Sequence, residues 1–391
     1  MHLARHLLVV VAVTVAGLSP LRAEPSATTS TNVAPLLQPF VDRHELAGAV
    51  ALVIGRDRVL DVECVGFADL AAQRPMTPDT LFWIASQSKP MTATAVLMLV
   101  DEGKIALDDP VEKYLPEFRG QPMIAGKDGD HVTLRAPSRP ITLRDVLSHM
   151  SGLPFQSILE RPTLDGLPLA AAVRSYAKTP LQWEPGTRYQ YSNAGINTAA
   201  RILEVVSGMP YEKFMQRRLF GPLGMTDTTF WPNEKQLRRL AKSYRPDASM
   251  TGLGEFPISQ LQYPLSDRQH RYPMPAGGLF STAGDTAKFC QMLLNGGELH
   301  GRRYLSPAAF GELTRRQTPP TVSDSYGLGL SAGGDWFGHG GAHATGMEIR
   351  PRDGYAVVWM VQHGGFPGDG GQAQGVFKDW AHERFAGERM K

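Results

Sequence analysis

Cysteine is scarce in this sequence, with only Cys64 and Cys290 among 391 residues. The chain can therefore hold at most one internal disulfide bond, which excludes a scaffold held together by many of them. The two thiols could pair in an oxidising compartment, or they could be two small buried side chains. Both alternatives stay open, because sequence alone does not bring the two sulfur atoms together in space.

The sequence also lacks an apolar run long enough to cross a bilayer. The run at residues 7–18 follows Arg5 and His6, and it is followed by Leu21-Arg22-Ala23. A basic start, a short apolar run and a small residue at the cleavage position are typical of a secretory signal peptide. We therefore predict cleavage near Ala23 and export of the mature chain, either to the periplasm or out of the cell.

Neither sign of charge predominates. The 40 basic and 38 acidic residues leave a formal net charge of +2, and Arg5 and Arg22 lie in the predicted signal peptide, which has no acidic residue. The mature chain therefore carries a net charge near zero. This balance gives no reason to expect a nucleic-acid partner or an anionic membrane surface. With 42% hydrophobic residues, the chain is large enough for a two-part fold with a sizeable core.

Strand-like segments lie near both ends of the chain, and helical segments lie between them. The patterns predict strands at 48–55, 58–66, 326–332, 336–339, 345–350 and 355–362, the first two forming a β-hairpin. They predict helices at 33–43, 92–102, 194–207, 211–219, 285–294 and 371–385. Residues 119–140 read as a surface loop or small subdomain.

These elements predict an α/β (α+β) fold class. A mixed antiparallel sheet from both termini would be flanked by helices, and a mostly helical region would be inserted in the middle. The predicted domains are a signal peptide at 1–23, a discontinuous sheet domain at 24–82 and 300–391, and a helical domain at 83–299.

The chain is organised around Ser86-Gln87-Ser88-Lys89, which precedes an apolar segment at residues 91–100. The segment has almost no polar face, which predicts a helix buried on all sides. Ser86 and Lys89 are three residues apart, so both side chains lie on one face of its first turn. A hydroxyl beside a partly desolvated amine, at the positive end of a helix dipole, is an activated nucleophile. The alternative is a serine N-cap followed by a solvated lysine.

Two further motifs follow in order along the chain. Tyr191 and Asn193 lie in a turn that leads into the helix predicted at 194–207. Gly338-His339-Gly340-Gly341-Ala342 lies at the end of a strand-like segment. Glycines at a strand edge let a substrate lie against the backbone.

Together these motifs resemble those of the serine β-lactamase-type hydrolases, which include class C β-lactamases, DD-peptidases and family VIII carboxylesterases. The resemblance covers roughly residues 33–385 and includes landmarks at 141–153 and 277–285. It implies the β-lactamase/transpeptidase-like fold, with a helix in the inserted domain carrying the nucleophile. It implies no cofactor and no metal. The partner would be a small ester, peptide or β-lactam, and the oligomeric state stays open.

The resemblance also implies roles for single residues. Ser86 would be the acylated nucleophile, Lys89 its helper and Tyr191 the general base and acid. Asn193 would orient the substrate and Lys89, and the backbone N–H groups of Ser86 and Ala342 would form the oxyanion hole. A phenol acts as a base only if a nearby cation holds it as phenolate, and Lys89 is the expected cation.

His339 departs from the β-lactamase pattern, which usually has lysine at this position. An unperturbed imidazole has a pKa near 6.5, so it is mostly neutral at pH 7 and would gain charge as the pH falls through that value. This favours a secreted esterase or a hydrolase of D-amino-acid amides. The alternative functions are a class C-type β-lactamase or DD-carboxypeptidase, and a non-catalytic penicillin-binding or structural relative.

Two competing sites have weaker support. Gly329-Leu330-Ser331-Ala332-Gly333 matches the nucleophile elbow G-x-S-x-G, but a strand rather than a helix is predicted to follow it. His339 and His343 have the spacing of a helical zinc pair, yet Gly340 and Gly341 between them oppose a helix.

Overall fold

The computed structural model describes residues 31–386, so the predicted signal peptide and its cleavage position lie outside the described residues. The strands are β1 Gly48–Gly55, β2 Val59–Asp69, β3 Arg74–Pro75, β4 Phe82–Trp83, β5 Met123–Asp128, β6 His131–Arg135, β7 Ser243–Pro246, β8 Leu253–Phe256, β9 Phe280–Ser281, β10 Glu298–Leu299, β11 Arg302–Arg303, β12 Ser331–Ala332, β13 Phe337–Gly340, β14 Gly346–Arg350 and β15 Tyr355–Met360. The helices are α1 Ala34–Asp42, α2 Ser88–Asp101, α3 Leu143–Leu147, α4 Leu169–Ala177, α5 Asn193–Ser207, α6 Tyr211–Met215, α7 Gly221–Leu223, α8 Glu234–Arg239, α9 Ala283–Leu294, α10 Pro307–Thr314 and α11 Ala373–Phe385.

The main sheet combines strands from both ends of the chain. Its order is β12-β13-β14-β15-β1-β2-β3, and all neighbours are antiparallel. The contact between β1 and β15 joins the N-terminal hairpin to the C-terminal strands. The predicted fold class, with one sheet built from both termini, is confirmed.

Both faces of the sheet are covered, and β1 is therefore buried along its whole length. Its alternate side chains belong to two different cores because successive residues of a strand point to opposite faces. Ala49, Ala51 and Val53 pack with side chains of α1 and α11. Their neighbours Val50 and Leu52 belong to the larger core, which also contains α2 and α9.

Some predicted elements differ from those in the structure. The strand expected at 326–332 is reduced to β12, because a turn with Gly329 at φ +71° precedes it. The surface loop expected at 119–140 contains the hairpin β5–β6. Helix α9, assigned to the helical domain, packs on the main sheet. The division into domains at residue 299 stays a prediction.

Both cysteines are free thiols in the structure. Cys290 is buried in α9 with its Sγ 3.7 Å from Sδ of Met347, whereas Cys64 is half-buried in β2. Burial raises the pKa of Cys290 far above its usual range, so this thiol is unreactive. Among the described residues, no helix is long and apolar enough to span a membrane.

A buried ion pair between Arg271 and Asp165 ties two loops of the helical region together. Nε of Arg271 lies 2.6 Å from Oδ2 of Asp165, and both side chains are almost completely inaccessible to water. The guanidinium also donates to the carbonyl groups of Phe230 and Leu265. Asp165 in turn accepts a hydrogen bond from the backbone N–H of Gln262.

We expect Asp165→Ala to lower the free energy of unfolding by about 3–5 kcal/mol, because it leaves a buried guanidinium without its counter-charge. Urea denaturation followed by circular dichroism would measure the change. Asp335→Ala is the matched control, since it breaks the exposed ion pair with Arg352 and should change stability far less. Equal effects of the two substitutions would contradict this account.

Candidate active site

Ser86 lies at the start of the buried helix. It belongs to the 3-10 helix Ala85–Gln87, directly before α2, and it is half-buried. The preceding residue, Ala85, has φ +46°, a left-handed conformation that a residue with a side chain rarely adopts. The tight turn thus presents the Ser86 hydroxyl beside the helix N-terminus.

Lys89 is fully buried, and its amine has three neighbours at hydrogen-bonding distance. Nζ lies 3.0 Å from Oγ of Ser86, 2.8 Å from Oδ1 of Asn193 and 2.7 Å from the carbonyl oxygen of Ala276. The predicted pair of Ser86 and Lys89 is therefore in direct contact. The solvated lysine that the sequence left open as an alternative is wrong.

Burial lowers the pKa of Lys89 well below its usual range. A neutral amine has two N–H donors and one lone pair. The oxygens of Asn193 and Ala276 accept the two donors, so the lone pair remains for the Ser86 hydroxyl. The ammonium, with three donors, also fits the three neighbours, but only the neutral form can accept the proton of Ser86.

Tyr191 and Asn193 are held by the start of α5. Ser192 caps this helix, with its hydroxyl accepting from the N–H of Gly195, and the carbonyl oxygen of Phe155 accepts from the N–H of Asn193. The ring centroid of Tyr191 lies 4.5 Å from Nζ of Lys89. The structure thus brings together the first four predicted site residues.

The pKa of Tyr191 shifts in the direction opposite to the one expected. Burial raises the pKa of Tyr191 above its usual value, and a hydrogen bond with Ser86 lowers it by less. The burial that brings Lys89 beside Tyr191 also lowers the pKa of the lysine, which weakens its expected support for a phenolate. At rest Tyr191 is therefore a neutral phenol, which can donate a proton.

His339 lies at the edge of the site on β13. Its ring centroid is 6.0 Å from that of Tyr191, its Nε2 is 3.0 Å from the hydroxyl of Tyr326, and its Nδ1 is 2.6 Å from the carbonyl oxygen of Gly340. Desolvation, and then the nearby Lys89, lower the pKa of His339 to about 3. The protonation expected near pH 6.5 therefore moves below the working range of most enzymes.

Gly341 and Ala342 lie at the end of β13, which packs against the 3-10 helix that carries Ser86. A Cβ atom on Gly341 would lie 2.5 Å from the carbonyl oxygen of Ile84, so only glycine allows this approach. Ala342 is exposed in the turn between β13 and β14. Its role as an oxyanion donor stays a prediction.

Neither competing site has the context that it needs. Ser331 lies in β12, which is followed by β13 and not by a helix. Gly329 lies against α2, where a Cβ atom would be 2.8 Å from the carbonyl oxygen of Lys89. His343 contacts Ser243 through Nδ1 at 3.0 Å, while His339 contacts Tyr326, so the two imidazoles belong to different networks.

Several contributors to the site were missed in the sequence. The carbonyl group of Ala276 contacts Lys89, and Asn197 accepts from the N–H of Ala276. His149 and Tyr326 form part of the network around His339. His149 lies in one of the two landmark stretches, and Ala276 directly precedes the other, which was the available signal.

A family model described as Beta-lactamase matches residues 33–376, and thus the three motifs and both landmarks. The chain belongs to the Beta-lactamase family. The resemblance drawn from the motifs is confirmed. As a member of the Beta-lactamase family related to esterases and carboxypeptidases, the chain is a serine hydrolase.

Three similar proteins illustrate the range of the Beta-lactamase family. Protein Rv1367c of Mycobacterium tuberculosis is 32% identical over 359 residues, covering 82% of this chain and 87% of that protein. Esterase EstB of Burkholderia gladioli is 38% identical over 200 residues, 48% of each chain. The solved structure of EstCE1, a hydrolase with promiscuous acyltransferase activity, shares the fold with a TM-score of 0.74 at 24% identity, covering 90% of this chain and 97% of that one.

Proposed function

We propose that this protein is an exported carboxylesterase that forms an acyl-enzyme on Ser86 with small, neutral esters. The observation that carries the proposal is the 3.0 Å contact between the hydroxyl of Ser86 and the buried amine of Lys89, whose pKa is lowered by burial. Such an amine can accept the hydroxyl proton while Oγ bonds to the ester carbonyl carbon.

The remaining steps follow from the positions of the other groups. The N–H groups of Ser86 and Ala342 would stabilise the oxyanion of the tetrahedral intermediate. Tyr191, a neutral phenol beside Lys89, would donate its proton to the leaving alkoxide and regain one from the lysine. Water would then attack the acyl-enzyme, and its proton would pass through Lys89 and Tyr191 to Oγ of Ser86. The carboxylic acid would leave, and Ser86 would be restored.

Two features of the site support a neutral substrate. His339 is uncharged over the ordinary pH range, so it offers no fixed cation for a free carboxylate. Phe155 stacks on Tyr191 with ring centroids 6.3 Å apart, and 40% of its surface is exposed. An apolar ring beside the proton donor favours contact with the hydrocarbon part of an ester.

We expect the kcat/KM for p-nitrophenyl acetate to exceed that for nitrocefin, a β-lactam that bears a carboxylate. The pKa of His339, about 3, lies below the assay range, so the ratio should not shift in favour of nitrocefin between pH 8 and pH 5.5. His339→Lys supplies a permanent charge. A hydrogen bond to a charged group contributes roughly 1.5–3 kcal/mol, so this variant should gain about tenfold or more toward nitrocefin.

The control for His339→Lys is His339→Gln, which has a neutral side chain of similar reach and should give no such gain. Efficient hydrolysis of nitrocefin by the wild type at pH 8 would replace the esterase proposal with a β-lactamase. Preferential hydrolysis of a D-alanyl-D-alanine peptide would favour a DD-carboxypeptidase. Absence of turnover on all three, with a folded protein, would favour a non-catalytic relative.

A further inference from the structure

A continuous line of hydrogen bonds crosses the site from the helical region to the sheet. The backbone N–H of Ser192 donates to Nδ1 of His149 at 3.2 Å, and Nε2 of His149 lies 3.2 Å from the hydroxyl of Tyr326. That hydroxyl lies 3.0 Å from Nε2 of His339, whose Nδ1 lies 2.6 Å from the carbonyl oxygen of Gly340. His149 and Tyr326 are buried.

The two ends of this line determine the position of every proton in it when His339 is neutral. A backbone N–H only donates, so Nδ1 of His149 is an acceptor and its Nε2 carries the proton. A carbonyl oxygen only accepts, so Nδ1 of His339 carries a proton. The Tyr326 hydroxyl then accepts from His149 and donates to Nε2 of His339. Both imidazoles are neutral, and they are opposite tautomers.

We propose that His149 and Tyr326 are positioning residues of this hydrolase, which hold His339 as a neutral, Nδ1-protonated imidazole and thereby orient the Gly340 peptide group toward the substrate. The inference rests on the proposed acyl-transfer function. Ser192, at one end of the line, is next to Tyr191 in the sequence, and Gly340, at the other end, is two residues before Ala342. The line therefore couples the proton donor to the strand edge that would form the oxyanion hole.

The groups around the line favour the neutral state. Burial lowers the pKa of His149 well below its usual range, and a positive charge on Lys89 or His339 would lower it further. Burial raises the pKa of Tyr326. A second proton on His149 would place a donor against the N–H of Ser192, and the desolvation of His339 favours its neutral state beside the Tyr326 hydroxyl. The titratable groups that face this line from neighbouring elements are Lys89, Tyr189, Tyr191 and, beyond Tyr189, Asp324.

Tyr326→Phe tests the proposal, because it keeps the ring and removes both central hydrogen bonds. We expect kcat for p-nitrophenyl acetate to fall about 10- to 100-fold, with a smaller change in KM. The pKa of His339 should rise, since its Nε2 loses a hydroxyl donor that stabilises the neutral ring, while the burial that lowers this pKa remains. The acidic limb of the pH profile of kcat/KM should therefore lie at higher pH in this variant than in the wild type.

The matched control is Tyr189→Phe. The ring of Tyr189 packs on His149 and Tyr326, with centroids 5.8 and 5.5 Å apart, but its hydroxyl makes none of the four hydrogen bonds of the line. This variant should keep the wild-type pH profile and stay within a few-fold of wild-type kcat. If Tyr189→Phe reproduced the effects of Tyr326→Phe, the line would be only part of the packing, and the proposal would be wrong.

A second measurement needs neither turnover nor a variant of Tyr326. Nitrogen-15 NMR of the histidine side chains in the wild-type protein, assigned with His149→Gln and His339→Gln, reports which ring nitrogen carries the proton. We expect Nε2–H on His149 and Nδ1–H on His339 between pH 6 and 8. Another tautomer, or an imidazolium at either position, would overturn the proposal. Inactivity of the wild type toward esters with these tautomers intact would instead count against the proposed function.

Discussion

Replacing Ser86 with alanine should abolish hydrolysis of p-nitrophenyl acetate, with a loss in kcat at least on the order of 10⁴-fold. The substitution removes the oxygen that would form the acyl-enzyme, and no other described hydroxyl lies so close to the amine of Lys89. Labelling by a fluorophosphonate or penicillin probe, followed by mass spectrometry of the intact protein, should disappear as well.

Ser331→Ala is the matched control for this experiment. Ser331 has the motif of a nucleophile elbow but lies in β12 at the edge of the sheet. Its removal should leave turnover and labelling within a few-fold of the wild type. If labelling instead followed Ser331 and survived Ser86→Ala, the assignment of the nucleophile would have to be abandoned.

The pair of Lys89 and Tyr191 should be nearly as important as the nucleophile. Lys89→Ala removes the proposed proton acceptor, and Tyr191→Phe removes the proposed donor to the leaving group. Each should lower kcat by a factor on the order of 10² to 10⁴, the usual contribution of general acid–base catalysis, with a smaller effect on KM. Steady-state kinetics on a neutral ester would measure both parameters.

The double variant of Lys89 and Tyr191 distinguishes a shared proton path from two separate contributions. The two groups are in contact, with Nζ over the phenol ring, and the same proton would pass between them. The double variant should therefore be little worse than the poorer single variant. Losses that multiply would mean that Tyr191 acts without Lys89, and the proton path would have to be redrawn.

The catalytic core could be predicted from the sequence because its parts are local. The spacing of Ser86 and Lys89 places them on one helical turn, and the absence of glycine and proline from residues 92–102 makes that turn part of a long helix. The hairpin of β1 and β2 follows from a local turn and from strand alternation. A capping box at Thr142 and Asp145, which is equally local, starts α3.

What the sequence could not predict depends on long-range packing. The carbonyl oxygen of Ala276 contacts Lys89, but every residue has a carbonyl group, so residue type carries no signal for this role. The protonation states depend on burial. Tyr191 was expected to be a phenolate beside a cation, yet burial raises the pKa of Tyr191 and lowers that of Lys89. His339 was likewise expected to titrate near neutrality, because the sequence does not show the burial that lowers its pKa.

The contacts of Lys89 also bear on how this protein acquires activity. Its partners Asn193 and Ala276 lie 104 and 187 residues away along the chain, so closing these contacts orders most of the inserted region. Long-range closures of this kind are slow, and they are costly in entropy until the rest of the fold supports them. Helix α2 can form early from local propensity. The buried Lys89 gains its contacts with Asn193 and Ala276 only after the distant segments have assembled. Turnover is thus a property of the completed fold, and a partly folded chain would hold the nucleophile without the means to activate it.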